Sequence, residues 1–241
     1  MIPLLHPGAP FPPVDRALHQ PDGLLAAGGD LSVDTLLRAY RQGIFPWFSD
    51  EDPVLWWAPS RRMVLPTDGF HLTRSLRRTL RRGTFRVTCD EAFDDVLRGC
   101  AAPRAGQDGT WLSPEMQVAY RGLKAAGYAH SVEVWCDGAL AGGLYVVAVG
   151  QLVCGESMFS RRTDASKVAL AWLAAQCRRW GVPIIDCQLH TGHLESLGAR
   201  LVPRHRFMQW VAALSAGRGP QAWRFDADLD PVAELSASPL H

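Results

Sequence analysis

Three polar side chains stand in stretches of this sequence that are otherwise apolar and strand-like. Asp186 and Gln188 lie in Ile184-Ile-Asp-Cys-Gln188, and Glu156 lies in Cys154-Gly-Glu-Ser-Met158. Polar groups in such places are costly unless they are hydrogen-bonded or used in chemistry. Residues two apart on a strand share a face, so we expect the Asp186 and Gln188 side chains to meet, with Ile185 and Cys187 on the other face.

An acid and an amide on one face can hydrogen-bond each other, which would fix both. An amide is not basic, so Gln188 cannot take a proton, but it can orient a reactant or donate to developing negative charge. The alternative is a structural role, in which a buried polar pair ties the strand to a helix. For Glu156 the alternative is a strand-end acid in water.

The composition is that of an ordinary globular protein. The chain has 241 residues, of which 47% are hydrophobic and 20% charged, enough for a small domain and a mid-sized one. The six Cys show neither C-x-x-C spacing nor a zinc-like pairing with His. We therefore expect no metal site, and we expect the thiols to be reduced. With no signal-peptide pattern and no apolar run of about 18 residues, the sequence predicts a cytoplasmic protein without membrane spans.

The net charge of +1 does not by itself favour nucleic acid, but one helix concentrates positive charge. Thr73 as N-cap and Gly83 as stop predict this helix, and Leu72, Leu76 and Leu80 form its narrow apolar stripe. Its other faces carry five arginines and no acid: Arg74, Arg77, Arg78, Arg81 and Arg82. Such a face can contact phosphates without reading sequence, and the alternative is a solvated helix face.

The elements that must position these residues alternate between strand and helix. From Ser131 the pattern predicts antiparallel strands, with a hairpin turn at Asp137-Gly138. Further elements follow in the order helix (165–180), strand (184–189), helix (193–197) and helix (207–214). We therefore predict an α/β (α+β) fold on a mixed sheet, with a small N-terminal α/β domain over residues 1–62 and a larger domain over 63–241.

These motifs, together with Gly43-Ile-Phe-Pro-Trp-Phe48, Gly109-Thr-Trp111 and Ala165-Ser-Lys167, resemble the bacterial leucyl/phenylalanyl-tRNA–protein transferases. The resemblance runs from about Asp22 to about Pro203. It implies a catalytic domain like the acyl-CoA N-acyltransferases. It also implies transfer of Leu or Phe, and of Met as a further guest, from aminoacyl-tRNA to the N-terminal Arg or Lys of acceptor proteins. The new peptide bond would mark those proteins for degradation. The ester is already activated, so no cofactor is expected.

The resemblance also assigns roles to residues. Asp186 and Gln188 would be the catalytic pair, with Asp186 also attracting the cationic amine, and Glu156 would bind the acceptor. Trp47 and Trp111 would stack the terminal adenine of the tRNA, the alternative being inter-domain packing. Tyr40 and Tyr120 also match family tyrosines. Six apolar residues are candidates for the aminoacyl pocket, the alternative for each being plain core: Leu144, Val153, Met158, Leu170, Leu173 and Ile185.

Three other functions remain open on the sequence alone. An acyl-CoA N-acyltransferase is disfavoured because the loop from Ser160 to Lys167 is not glycine-rich. A tRNA-dependent enzyme that builds peptide bridges on cell-wall precursors would usually carry two such domains. A non-catalytic RNA-binding protein would not need Asp186.

Overall fold

A computed structural model describes residues 2–49, 51–103 and 112–237, and two β-sheets organise this part of the chain. The smaller sheet has the order β1-β2-β4-β3. Its strands are β1 (Leu4–Leu5), β2 (Leu24–Gly28), β3 (Phe45–Pro46) and β4 (Leu55–Trp57). Helix α1 (Val33–Arg41) joins β2 to β3. It begins after Ser32, whose hydroxyl accepts a hydrogen bond from the Thr35 N–H at 3.3 Å, as an N-cap should.

The larger sheet has seven strands in the order β11-β5-β10-β9-β8-β7-β6. These strands are β5 (Arg61–Pro66), β6 (Arg86–Cys89), β7 (Ala129–Cys136), β8 (Ala139–Val149), β9 (Leu152–Ser160), β10 (Ile184–Gln188) and β11 (Arg200–Pro203). Its pairs are antiparallel except β9 with β10, which run parallel. A parallel pair needs a crossover, and a helix supplies it here.

Seven further helices lie in the described part of the chain, and several of them pack directly against the larger sheet. They are α2 (Arg74–Arg81), α3 (Phe93–Ala101), α4 (Pro114–Ala125), α5 (Ala165–Arg179), α6 (Gly192–Ser196), α7 (Arg204–Ala216) and α8 (Pro231–Ser236). The crossover helix α5 buries Leu173 on one face of the sheet, in a cluster that includes Leu76 of α2. On the other face, Phe93 and Phe207 pack in one cluster with Trp56 of the small sheet. Among the described residues, no helix combines the length and apolarity that crossing a bilayer requires.

The predicted mixed α/β fold is confirmed. The chain passes from the small sheet to the large one between Trp57 and Arg61, so the predicted boundary between residues 62 and 63 falls inside β5. The two sheets also share one hydrophobic cluster, in which Trp56 of the small sheet packs with Val64 of the large one. The division into two domains therefore stays a prediction, while the change of sheet is placed slightly earlier in the chain.

A C-terminal segment, residues 218–237, docks along α5. The Trp223 ring stacks on His130 with centroids 4.1 Å apart and meets Trp180 edge-on at 5.0 Å. The Gln176 side chain accepts a hydrogen bond from the Asp226 N–H at 2.8 Å. Arg179 forms ion pairs with acids of the segment, including Asp228 at 2.8 Å. The segment therefore packs against the C-terminal end of α5, the crossover helix that leads to β10.

Replacing Trp223 by Ala tests this clamp. Loss of the stacked ring should lower the free energy of unfolding by about 2–3 kcal/mol, because large-to-small changes at packed aromatics remove burial and leave a cavity. Urea denaturation followed by circular dichroism measures the change. Val118→Ala is the control, since Val118 is 66% exposed on α4 and its truncation should change stability by less than about 0.5 kcal/mol. Equal effects of the two variants would show that the segment does not stabilise the fold.

Candidate active site

A cavity of about 400 Å³ opens where β9 and β10 separate. Their parallel pairing joins Ile185 with Val153 and Asp186 with Cys154. Just beyond, β9 carries an extra residue opposite β8, at Glu156, and β10 carries one opposite β5, before Gln188. Bulges of this kind bend a strand and re-aim its side chains. Two bulges at the same level therefore part the strands and shape the cavity.

The bulge in β10 overturns the prediction that Asp186 and Gln188 share a face. Asp186 lies opposite Val64 on β5, whereas Gln188 lies opposite the next residue, Met63. Val64 and Met63 belong to the clusters on the two different faces of the sheet. The backbone of Gln188 has a φ of 53°, in the left-handed region that side chains other than glycine rarely adopt. The strand thus loses its alternation, and Gln188 turns toward the cavity while Asp186 does not.

Asp186 is fully buried and its carboxylate is held on both oxygens. The Arg62 guanidinium donates from Nε to Oδ1 at 2.8 Å and from Nη2 to Oδ2 at 2.7 Å. The Gln188 backbone N–H donates to the same Oδ1 at 3.0 Å. Asp186 therefore orients Gln188 through the main chain and not through its side-chain amide. Its negative charge is matched by Arg62, so attraction of a substrate amine by Asp186, as first expected, does not fit its surroundings.

Glu156 is the carboxylate that the cavity exposes. Its Oε2 accepts a hydrogen bond from the Tyr120 hydroxyl at 2.8 Å, and its Oε1 accepts one from Gln188 Nε2 at 3.2 Å. The Tyr40 hydroxyl lies 3.3 Å from that of Tyr120, which extends the network to α1. Burial raises the pKa of Glu156 to about 7, and hydrogen bonds from Tyr120 and Tyr40 oppose that rise. Near neutral pH both protonation states of Glu156 are therefore populated.

Most of the predicted pocket residues do line this cavity. Leu144, Met158, Leu170, Leu173 and Ile185 are among its walls. That these residues bind the side chain of an aminoacyl group stays a prediction.

Val153 is the exception among the predicted pocket residues. It is fully buried in the core and lies outside the cavity. The reason is its position in the paired part of β9, before the two strands diverge, where α5 packs directly on the sheet.

Several lining residues come from segments outside β9, β10 and α5. Phe45, Pro46 and Trp47 reach the cavity from β3 and the turn after it, and His193 reaches it from α6. Trp47 is 42% exposed, so its ring is accessible for stacking. Trp111, the other predicted stacking residue, lies outside the described residues, as does its Gly109-Thr110 motif.

Arg62 is the site-supporting residue that the sequence reasoning missed. It is 2% exposed, and its guanidinium lies between the rings of Phe45 and Phe207, 4.5 Å and 4.7 Å from their centroids. Burial alone would lower the pKa of Arg62, but the Asp186 carboxylate outweighs it and raises that pKa. The available signal was an arginine directly before the apolar strand residues Met63-Val-Leu65.

The five predicted arginines of α2 and its C-cap surround a surface groove of about 390 Å³. Leu76 anchors the helix on the core, and Arg77 donates to the Ser236 hydroxyl at 3.0 Å. Within residues 2–49, 51–103 and 112–237, none of the ion pairs includes any of these five arginines. Their charge is thus available to an anionic partner. The same ranges contain no group of three or more His, Cys, Asp or Glu that could hold a metal ion.

Comparison with known proteins gives consistent matches over nearly the whole chain. The sequence model described as leucyl/phenylalanyl-tRNA protein transferase matches residues 64–212, and that of the N-terminal domain of the same enzyme matches residues 29–60. A leucyl/phenylalanyl-tRNA–protein transferase of Chromobacterium violaceum is 57% identical over 86% of this chain and 89% of its own length. One of Aromatoleum aromaticum is 55% identical over 98% of both chains.

A solved structure titled as that of FemX is 10% identical, with a TM-score of 0.45 over 75% of this chain and 71% of the other. Values this low carry no argument about function.

The raised pKa of Glu156 predicts a pH-dependent stability. Protonated Glu156 stabilises the fold fully below its unfolded-state pKa of 4.5, and this contribution is lost as pH rises through about 7. The Glu156→Gln variant cannot lose this contribution to stability, because glutamine does not ionise. Between pH 5.5 and 8.5 the wild type should therefore lose about 1–2 kcal/mol relative to the variant. Urea unfolding at both pH values measures the difference, and a stability difference independent of pH would contradict the raised pKa.

Proposed function

We propose that this chain, which belongs to the leucyl/phenylalanyl-tRNA–protein transferase family, transfers Leu or Phe from aminoacyl-tRNA to acceptor proteins with N-terminal Arg or Lys. It is an aminoacyltransferase that forms a peptide bond and marks the acceptor for degradation. The observation that carries this proposal is the Glu156–Gln188 pair at the edge of an otherwise apolar cavity. Since aminoacyl-tRNA is the donor, the cytoplasm is the proposed place of action.

The proposed chemistry uses an ester that is already activated. The neutral α-amino group of the acceptor attacks the ester carbonyl carbon and forms the new C–N bond. As the tetrahedral intermediate collapses, the C–O bond to the tRNA breaks, and the proton that the nitrogen loses passes to that oxygen, which leaves as a hydroxyl. An α-amino group has a reference pKa of about 8, so most acceptors arrive as ammonium ions at neutral pH. Ionised Glu156 is the carboxylate placed to hold that ammonium, and its pKa of about 7 suits it to receive the proton.

Gln188 contributes orientation in this proposal. Its Nε2 is engaged by Glu156, which leaves its side-chain carbonyl oxygen to accept a hydrogen bond from the incoming amine. Asp186 acts behind it as a positioning residue, because it touches the Gln188 main chain and not the cavity. This arrangement fixes the amine at the mouth of the apolar walls, where the ester of a seated Leu or Phe would lie.

The apolar cavity selects the amino acid in this proposal. Leu144, Leu170, Leu173 and Ile185 offer no charge or hydrogen bond to a guest, and Met158 adapts its shape. Such a pocket discriminates only weakly between side chains of similar size, so Met should also be accepted. Acceptor choice is electrostatic, because N-terminal Arg or Lys adds a second positive charge near Glu156.

Recognition of the tRNA is assigned to the arginine groove and to stacking. Arg74, Arg78, Arg81 and Arg82 present charge for phosphates without reading bases, which suits an enzyme that uses more than one tRNA. Trp47, at the cavity rim, is proposed to stack the terminal adenine. Trp111 is proposed as its partner on sequence grounds.

One observation counts against the acyl-CoA alternative. Acyl-CoA enzymes of similar fold would hold the pyrophosphate on free N–H groups at the start of the helix that corresponds to α5. Here the Ala165 N–H donates to the Arg162 carbonyl at 3.1 Å, and the Ser166 N–H donates to the Ser160 hydroxyl at 2.9 Å. These donors are engaged by the chain itself.

A transfer assay tests the proposed function. Purified protein is mixed with radiolabelled Leu-tRNA and one of two peptides, which differ only in starting with Arg or Asp. Label should pass to the Arg peptide alone, and ribonuclease should abolish the transfer. Gln188→Ala should lower kcat by about 100-fold while sparing tRNA affinity, because it removes orientation and not binding. Label moving from acetyl-CoA instead, or tRNA binding without transfer, would refute the proposal.

Charge reversal in the arginine groove tests the tRNA assignment. The double variant Arg78→Glu, Arg81→Glu should weaken tRNA binding about 10–100-fold. Because each phosphate contact releases a counterion, the slope of log affinity against log salt concentration should also become shallower by about two. The turnover rate at saturating tRNA should stay unchanged. Filter binding between low and moderate salt measures both quantities. Arg218→Glu is the control, an exposed arginine near the β8–β9 turn, and an equal loss in that variant would indicate a general charge effect.

A further inference from the structure

The ion pair between Arg62 and Asp186 is unusual because both side chains are almost completely buried, at 2% and 1% exposure. Replacing a buried pair by apolar residues is often neutral or stabilising, so burial of this kind is weak grounds for a role in stability alone. The pair and its flanking rings also bring together four elements of the chain. Arg62 lies on β5, Asp186 on β10, and the two flanking rings belong to β3 and α7. This placement calls for a role beyond holding the fold.

The role is indicated by what the Asp186 carboxylate does with its remaining capacity. Oδ1 accepts the Gln188 N–H at 3.0 Å, directly at the bulge, where Gln188 has its φ of 53°. A residue with a side chain keeps such a backbone only where its surroundings impose it. The carboxylate imposes it by accepting this N–H, and the Arg62 fork fixes the carboxylate. The direction of the Gln188 side chain therefore depends on Asp186, and the position of Asp186 depends on Arg62.

We infer that Arg62 is a positioning residue for the transfer reaction: it holds Asp186 so that the Gln188 bulge keeps the side-chain amide aimed into the cavity. This inference rests on the proposed function. Arg62 does not line the cavity, so its effect on the orientation of the site passes through Gln188, while its charge also lowers the pKa of Glu156. A lysine in its place would keep the charge but lose the planar fork that engages both carboxylate oxygens.

The same guanidinium links the small sheet to the reaction centre. Phe45 of β3 covers one side of Arg62 and also lines the cavity, whereas Phe207 of α7 touches Arg62 and lies outside the cavity walls that the described residues form. The small sheet and α7 thus each place an aromatic ring against the guanidinium. The packing of segments that are distant in sequence therefore reaches Gln188 through Arg62.

A double-mutant cycle tests the inference with kinetics. Arg62→Lys should lower kcat by about 10–100-fold, with KM for aminoacyl-tRNA and for the Arg peptide within about threefold, because misplacement of a positioning group acts on the chemical step. Adding Arg62→Lys to Gln188→Ala should cause no further loss, since both changes remove the same orientation. Independent, multiplying losses would overturn the inference, as would an unchanged kcat in Arg62→Lys. Arg178→Lys is the matched control, another buried arginine paired with an acid, and should keep wild-type kcat.

Hydrogen exchange gives a readout that does not need activity. In Arg62→Lys, and in Arg62→Met combined with Asp186→Leu, the Gln188 amide should exchange at least about tenfold faster, because its acceptor is displaced or absent. The double replacement leaves no unpaired buried charge and should fold. Amides of the β7–β8 pair report global stability and should keep their exchange rates. Unchanged Gln188 protection in both variants would overturn the inference. If wild-type protein transfers no amino acid, the proposed function fails, while this exchange result still decides the positioning of Gln188.

Discussion

The arrangement of this site depends on where the parallel pairing of β9 with β10 stops. Up to Asp186 and Cys154 the two strands are neighbours, and directly afterwards each carries a bulge. A continuous pair would have left no space between the strands and would have kept Glu156 and Gln188 in strict alternation. The separation creates the cavity, and the bulges turn one polar side chain from each strand toward the other. Sheet geometry therefore positions both polar side chains of the site.

The two carboxylates of the site are given different tasks by their surroundings. Asp186 has a buried guanidinium against both of its oxygens and does not line the cavity. Glu156 has hydroxyl and amide partners instead, and its raised pKa reflects burial without a comparably close cation. Environments that separate two acids in this way divide structural from chemical work. In the proposed function, Glu156 is accordingly the group that meets the acceptor amine.

Much of this arrangement could be predicted from the sequence, and the rest fails for identifiable reasons. Periodicity and end signals located α2, because caps and glycine stops are local properties, and the helix predicted over residues 165–180 corresponds to α5. The prediction that Asp186 and Gln188 share a face was wrong, because a bulge depends on the partner strand and leaves no mark in the five residues of β10. Arg62 was missed for a similar reason: its partners lie on β3, β10 and α7, and only the folded chain brings them together. Val153 was misplaced because the point at which two strands part cannot be read from either strand.

Separation of binding from chemistry follows from the same geometry. The arginine groove lies on α2, whereas the polar pair lies between β9 and β10, and the two places share no side chain. In the function proposed above, the charge on α2 provides affinity for any tRNA, and the apolar cavity receives only the amino acid attached to it. An enzyme that worked in this way would select its donor by the aminoacyl group and not by the tRNA sequence. The low net charge of +1 fits this design, because the positive charge is concentrated on one helix.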